Sequence, residues 1–380
     1  MKIPRITIDK NSRESLPEQL EHILLQKIEC GYYVPGKKID SVRTIAKAFG
    51  VSTVSVQSAL GLLKDAGALE SVPGSGLFVR KDFLEEKKAA DIAFVFPEEM
   101  ISPHCLSPEN WAVNSEIHLG LLRGAEIYGA KINFIHIDEN MPAKVFRQRM
   151  AEIRKNDAAV FVGSELSSIR DTLAKEKYVF NIESEYTQAP DDVILVSSDN
   201  RDAIRRAAQY AAKCNCRTAG IITLLGDDMD RGSCKAFQIQ RDLFLKYCIE
   251  EGFDAENLYD WEFRNKDDVE FSLLEKLKEN KPEFIFCNYS YLAGTLYAVC
   301  MECGVKIGKD IKIMAKAPGL IFQGMIPSLT YLNPPSYETA VDVVNYACRL
   351  VRGTIKVEDL NLPKNKYQLI EGKSTGGNSI

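Results

Sequence analysis

The sequence predicts an α/β protein in two parts: a small α+β head over residues 1–80 and a larger body over 91–372 made of two lobes with parallel sheets. Three observations predict it. Apolar residues recur at helical spacing in three stretches before residue 68, then give way to two short extended runs around Pro73-Gly74-Ser75-Gly76. From residue 91 onward, short apolar runs alternate with amphipathic helical stretches, the pattern of parallel strands joined by helices. Charge divides at the same place. Residues 1–82 carry 12 Lys/Arg against 9 Asp/Glu, a net +3, and the remainder carries 36 against 44, a net −8, so the head is the part suited to a polyanion.

In the head, Ser15 or Leu16 caps a first helix with Pro17 in its first turn. Leu20, Ile23, Leu24 and Ile28 line one face of it until Gly31. After the turn Val34-Pro35-Gly36, Ser41 caps a short helix carrying Ile45, Ala46 and Phe49, which Gly50 breaks. Ser52 caps a third helix with Val56, Ala59, Leu60 and Leu63 on its apolar face, ended by Gly67. Runs at 69–72 and 77–80 then form a hairpin. This order is a winged helix-turn-helix.

The segments Leu16-Pro17-Glu18-Gln19-Leu20, Tyr33-Val34-Pro35-Gly36, Ser41-Val42-Arg43, Phe49-Gly50-Val51-Ser52, Val56, Ala59-Leu60, Leu62-Leu63, Gly67, Gly74-Ser75-Gly76 and Phe78-Val79 run collinearly, and over them the chain resembles the GntR family of regulators. The resemblance implies a third helix in the major groove and a hairpin along the backbone or minor groove. Arg43 suits a phosphate or base edge through its guanidinium fork. Ser52, Thr53 and Ser55 put hydroxyls at a helix N-terminus that favours phosphate, with Ser41 in the same position on the preceding helix. Gln57 suits an adenine edge, and Gly74, Ser75 and Gly76 let the wing backbone approach DNA. The sequence departs from the family at Thr53 and Gln57, where members often carry arginine, and at Asp40, where proline is common. Fewer cations displace fewer counterions, so a homodimer is expected to supply affinity.

Residues 81–90 form a charged linker. Strands are expected at 91–96, 131–137, 158–162, 178–182, 193–196, 218–224, 257–262, 284–287, 311–314 and 329–333, with helices at 116–129, 199–214, 234–251 and 289–304 among those between them. So long an alternation exceeds one doubly wound sheet and predicts two lobes with a ligand cleft between. Val95-Phe96-Pro97, Asn114, Leu122-Arg123-Gly124-Ala125, Val196-Ser197-Ser198-Asp199-Asn200-Arg201, Arg231, Ala236-Phe237, Phe286-Cys287-Asn288 and Ser328-Leu329-Thr330-Tyr331-Leu332-Asn333-Pro334 resemble, in order, the sugar-sensing domain of LacI-type repressors, itself similar to periplasmic binding proteins.

That resemblance implies crossings between lobes near 196–200, 314–318 and 333–336, and a sugar held by polar groups and aromatic faces. The candidates are Arg231, Asn288, Asp199, Asn114 and Asn333, then Glu183 and Glu185, with Trp111, Tyr289 and Trp261 as stacking faces. An acid is expected near 314–318 but is missing, and Lys316 stands there instead. The last residues, 373–380, read as a Gly/Ser/Thr-rich tail.

No run of about 18 apolar residues is present, and Met1–Thr7 lacks a signal-peptide pattern, so a cytoplasmic protein is expected. Ten cysteines and four histidines show no paired zinc-knuckle spacing, and neither metal nor cofactor is expected. An aminotransferase-like body, a partner of such heads elsewhere, would need a Schiff-base lysine in a Ser-x-x-Lys setting, which is missing, as are Gly-x4-Gly-Lys-Ser/Thr, His-Glu-x2-His and Gly-x-Ser-x-Gly. A body used purely for oligomerisation or protein binding is the other alternative, and polar residues at strand ends argue against it. The expected function is a repressor of a carbohydrate-utilisation operon. It would bind double-stranded operator DNA and answer to a pentose, hexose or deoxyhexose such as arabinose or fucose, or to a sugar phosphate.

Overall fold

The computed structural model describes residues 15–29, 32–81, 83, 89–97, 100, 108–182, 189–225, 231–264, 269–319, 324–362 and 364–376. The chain divides into two compact units: Met1–Ile92 with Leu122–Ile132 and Val344–Leu360, and Ala93–Leu121 with Asn133–Val343 and Asn361–Ile380.

The head begins with α1 (Leu16–Glu29), whose cap is half of a capping box: the Ser15 N–H and Oγ–H both donate to Glu18 Oε2, at 2.9 and 2.8 Å. Those two donors hold the Glu18 carboxyl below its ordinary range. Ser41 caps α2 (Val42–Phe49) by accepting from the Thr44 N–H at 3.2 Å, and Gly50, at φ +65°, ends it in the left-handed conformation a Cβ disfavours. Ser52 caps α3 (Thr53–Asp65) by accepting from the Ser55 N–H at 3.0 Å. The axes of α2 and α3 differ by 113° across a three-residue break, the geometry of a helix-turn-helix. Leu20, Leu24, Ile28, Ile45, Val56, Leu60, Leu63 and Val79 make one buried core, joining the helices to the hairpin of β1 (Leu69–Val72) and β2 (Gly76–Val79). At the hairpin tip the Ser75 N–H donates to the Val72 carbonyl at 2.9 Å. Pro73 before Gly74, at φ +73°, is the arrangement of a type II turn.

Among the described residues the body's strands form two sheets. The first, in spatial order β4-β3-β5-β6-β7, holds β3 (Ala90–Phe96), β4 (Ala130–His136), β5 (Ala158–Val162), β6 (Tyr178–Ile182) and β7 (Val193–Val196). Its helices are α4 (Pro108–Tyr128), α5 (Ala143–Arg154) and α6 (Ser167–Ala174). After α7 (Asn200–Lys213), the second sheet follows in spatial order β13-β12-β11-β10-β8-β9. Its strands are β8 (Ala219–Leu224), β9 (Leu258–Phe263), β10 (Phe284–Cys287), β11 (Lys312–Lys316), β12 (Thr330–Asn333) and β13 (Gln368–Ile370). Helices α8 (Arg231–Glu250), α9 (Val269–Glu279) and α10 (Ser290–Glu302) fall between its strands. Pairings from β9 through β12 are parallel. Every residue of β8 is buried, as a strand covered on both faces requires.

The structure corrects two expectations about the path. The chain does not cross near 314–318, because β11 and β12 are neighbours in one sheet. It leaves that sheet after Asn333 for α11 (Ser336–Val351), which lies so close on α4 that a Cβ on Gly120 would fall 2.4 Å from the Tyr337 carbonyl oxygen. It returns at β13, which pairs antiparallel with β12, so the third passage lies between α11 and β13. The described part of the tail is not free either. Residues 373–375 form a 3-10 turn; Ser374 Oγ donates to the Ile313 carbonyl at 2.6 Å and accepts from the Thr330 N–H at 2.8 Å, with Ser374 and Thr375 buried. Residues 377–380 lie outside the described residues.

Candidate functional site

Two surfaces carry the chemistry. On the head, Ser41, Arg43, Ser52, Thr53 and Gln57 are exposed and Ser55 is half-buried. The two serine caps are engaged locally: Ser41 Oγ pairs with Thr44 Oγ1 at 2.8 Å and Ser52 Oγ with Ser55 Oγ at 2.9 Å. Gly74, Ser75 and Gly76 stand exposed at the wing tip. Two residues not anticipated join this surface. Val54, 68% exposed, shares a helix face with Gln57. Lys38 runs along the wing, bridged to Phe78, with Cε 3.0 Å from where a Gly76 Cβ would stand. Asp40, the departure from the family, accepts a hydrogen bond from Tyr33 Oη at 2.8 Å, which with burial raises the phenol's pKa. Its carboxylate braces the head.

In the body, strand register gathers a polar row. Cys287 pairs with Ile222 on one side and with Ala315 on the other. Thr223, Asn288 and Lys316, each one residue further on, therefore lie side by side at the C-terminal edge of β8, β10 and β11. Open parallel sheets bind ligands at this edge. By alternation the row shares the face of Ile221, Phe286 and Met314, which pack against α8. Helix α8 covers it with Phe237 and Gln240. Asn288 Nδ2 donates to the Phe237 carbonyl at 3.4 Å, and the Tyr289 ring meets that of Phe237 edge-on at 5.7 Å. Lys316 Nζ donates to Gln240 Oε1 and lies 5.4 Å from the Phe237 ring centroid. Thr223 and Asn288 are 0% exposed, yet Thr223 Oγ1 and Asn288 Oδ1 have no hydrogen-bond partner. Burial pushes the Lys316 ammonium down to about 7.

Four of the other expected ligand residues, Asp199, Asn333, Trp261 and Asn114, are not brought to this row. Asp199 is the cap of α7, its carboxylate accepting from the Asp202 N–H at 2.9 Å. Asn333 points to the opposite face, where its Oδ1 accepts from the Gly319 N–H at 2.8 Å. Trp261 is a core residue, 5% exposed, rather than a stacking face, because its strand position turns it under α9. Asn114 is half-buried on α4, where its carbonyl meets His118 Nδ1 at 2.6 Å. Glu116, also on α4, has its carboxyl pKa raised by burial, against a hydrogen bond to Ser336 at the start of α11 that lowers it. Arg231 opens α8 and Trp111 lies in α4, but their side chains lie outside the described residues, as do Glu183 and Glu185. Thr223, Phe237 and Gln240 were missing from the sequence candidates. The spacing of Phe237, Gln240 and Phe244 along one helix face is the signal that marks two of them.

Residues 16–79 match the family model described as bacterial regulatory proteins, gntR family, and residues 208–375 match that of the periplasmic binding protein-like domain. The chain joins a GntR-family head to a periplasmic-binding-protein-like body. It is 22% identical over 372 residues to the arabinose metabolism transcriptional repressor of Geobacillus stearothermophilus, covering 91% of this chain and 95% of that one. A LacI family transcriptional regulator from Bifidobacterium animalis subsp. lactis superimposes with a TM-score of 0.58 at 16% identity, over 76% of this chain and 98% of its own. A periplasmic binding protein/LacI transcriptional regulator from Alkaliphilus metalliredigens, complexed with D-xylulofuranose, gives 0.54 at 16% identity, over 75% and 99%. The periplasmic-binding-protein-like body thus has the LacI fold. Among the described residues no single helix is long and apolar enough to cross a membrane, and no group of three His, Cys, Asp or Glu is placed to hold a metal.

Proposed function

We propose that this chain is a sequence-specific DNA-binding repressor of a carbohydrate-utilisation operon, released or engaged by a small sugar bound in its body. One observation carries the reading: the GntR-family head and periplasmic-binding-protein-like body align along nearly the full length of a repressor named for arabinose metabolism. The head presents α3 to the major groove, with Arg43 on phosphate or a base edge, Ser52 and Ser55 at the phosphate-favouring helix end, Gln57 on an adenine edge and Val54 against a thymine methyl. The wing tip at Gly74-Ser75-Gly76 and Lys38 follow the backbone. With so few cations per head, the working form is a homodimer reading two half-sites.

The effector, a pentose, hexose or deoxyhexose such as arabinose or fucose, free or phosphorylated, binds at the edge formed by Thr223, Asn288 and Lys316. Its control over DNA equals its differential affinity for the two conformations of the body. A thermal-shift screen of the full chain against these sugars and their phosphates, followed by gel shifts on operator DNA with and without the hit, tests the reading. A melting-temperature rise with one sugar and a changed DNA affinity in its presence support it. A protein that binds operator but answers to no carbohydrate overturns the effector half.

A further inference from the structure

We infer that the effector carries an anionic group, a carboxylate or phosphate on the sugar frame, and that Lys316 receives it. The inference rests on the sugar-effector reading above and narrows it. A neutral sugar is an acceptor and donor of ordinary hydrogen bonds and needs no cation. The polar row nevertheless ends in one: Lys316 closes β11 beside Asn288, where a carboxylate suits hydroxyl groups better. Its described partners are both neutral, the Gln240 amide oxygen and the Phe237 ring. Lys316 is half-buried, and the amide that holds its ammonium, Gln240, is 3% exposed. Among the described residues no counter-charge meets this half-buried cation; that arrangement is costly, and a ligand that brings the charge lowers the cost. The lowered ammonium pKa of the ligand-free site accords with this.

The neighbouring groups divide the remaining work. Asn288 Oδ1 is buried, unpartnered and able only to accept, so it takes a hydroxyl donor rather than the anion. Thr223 Oγ1, buried and unpartnered one strand further away, can give or take. Adjacent strands stand about 4.8 Å apart, a spacing that one small sugar spans from an acid group to a hydroxyl. Tyr289 and Phe237 supply an apolar wall beside it.

Calorimetric titration of the full-length protein with matched pairs tests this: arabinose against arabinose 5-phosphate and arabinonate, galactose against galacturonate, with inorganic phosphate alone as a further arm. The expected result is one charged sugar binding at least tenfold tighter than its neutral parent. Lys316→Met should bring that ligand's affinity down to its parent's level, and Lys316→Arg should keep most of the preference. Melting curves of both variants establish folding. The phosphate and carboxylate arms name the source of the charge. A neutral sugar that outbinds its charged derivatives tenfold, or a preference unchanged in Lys316→Met, overturns this inference and leaves the sugar-effector reading intact. Absence of binding by any carbohydrate, charged or neutral, removes both.

Discussion

The head and the body solve recognition in opposite ways. On the head, the groups aimed outward are exposed and already satisfied: Ser41 and Ser52 close their own helices, and Asp40 is occupied by Tyr33. In the body, Thr223 and Asn288 at the strand ends are buried and incomplete, with Thr223 Oγ1 and Asn288 Oδ1 unpaired, and half-buried Lys316 meets neutral groups among the described residues. A surface of the first kind folds without its partner and adds charge and hydroxyls to whatever polyanion arrives. A surface of the second kind stays under tension until a ligand of matching chemistry fills it, because a buried polar atom without a partner costs about 1–3 kcal/mol. The same substitution logic should therefore give opposite stability signs in the two regions.

The largest expected effect is on the head. Arg43→Ala should weaken operator binding by about 1–3 kcal/mol in a gel shift at fixed salt, with the melting temperature unchanged. A fall in melting temperature of the same size would show that Arg43 is structural and break the contrast. In the body, Asn288→Leu should abolish most of the effector-induced rise in melting temperature while leaving the ligand-free protein as stable or more so. A destabilised apo-protein would mean that the amide is satisfied after all. Ser52→Ala should cost about 1 kcal/mol of head stability in urea unfolding through loss of the α3 cap. Thr223→Val, the matching loss of a hydroxyl in the body, should be neutral or stabilising by up to about 1 kcal/mol.

The last expectation is a pH trend. Burial lowers the Lys316 ammonium to about 7 in the fold, whereas the unfolded chain keeps that proton to about 10.5. Among the described residues the groups packed on it, Gln240 and Phe237 of α8, do not titrate. The unfolded state therefore binds more protons between those values, and ligand-free stability attributable to this group rises with pH across that window. Lys316→Met should remove that increment. An identical pH profile in the variant would show that the ammonium is solvated.

Much of this was legible in the sequence. Strands buried on both faces, such as β8 and β10, read as unbroken apolar runs, and the Ser and Gly punctuation of the head marks caps and turns whose geometry is local. What escaped depends on distant partners. Strand β13 is three residues, Gln-Leu-Ile, with no apolar run to announce it; β12 defines it by pairing. Residues 373–376 have the composition of a free tail, yet Thr330 and Ile313 supply partners that composition cannot foresee. Asp199 and Asn333 sat at the right strand ends, but their side chains turn back to hold backbone N–H groups, which short polar side chains do at least as readily as they bind ligands. Thr223 and Gln240 become site residues only once register sets the one beside Asn288 and the other above Lys316.

The return of the chain to β13 has a consequence for solubility. β12 would otherwise end the second sheet with an open row of backbone donors and acceptors, a template on which another copy's strand can add. Three residues of β13 and the Ser374 hydroxyl occupy that row instead. A chain cut after α11 keeps every residue of the polar row, yet it should come out of the cell as aggregate, its ligand chemistry intact and its sheet unsealed.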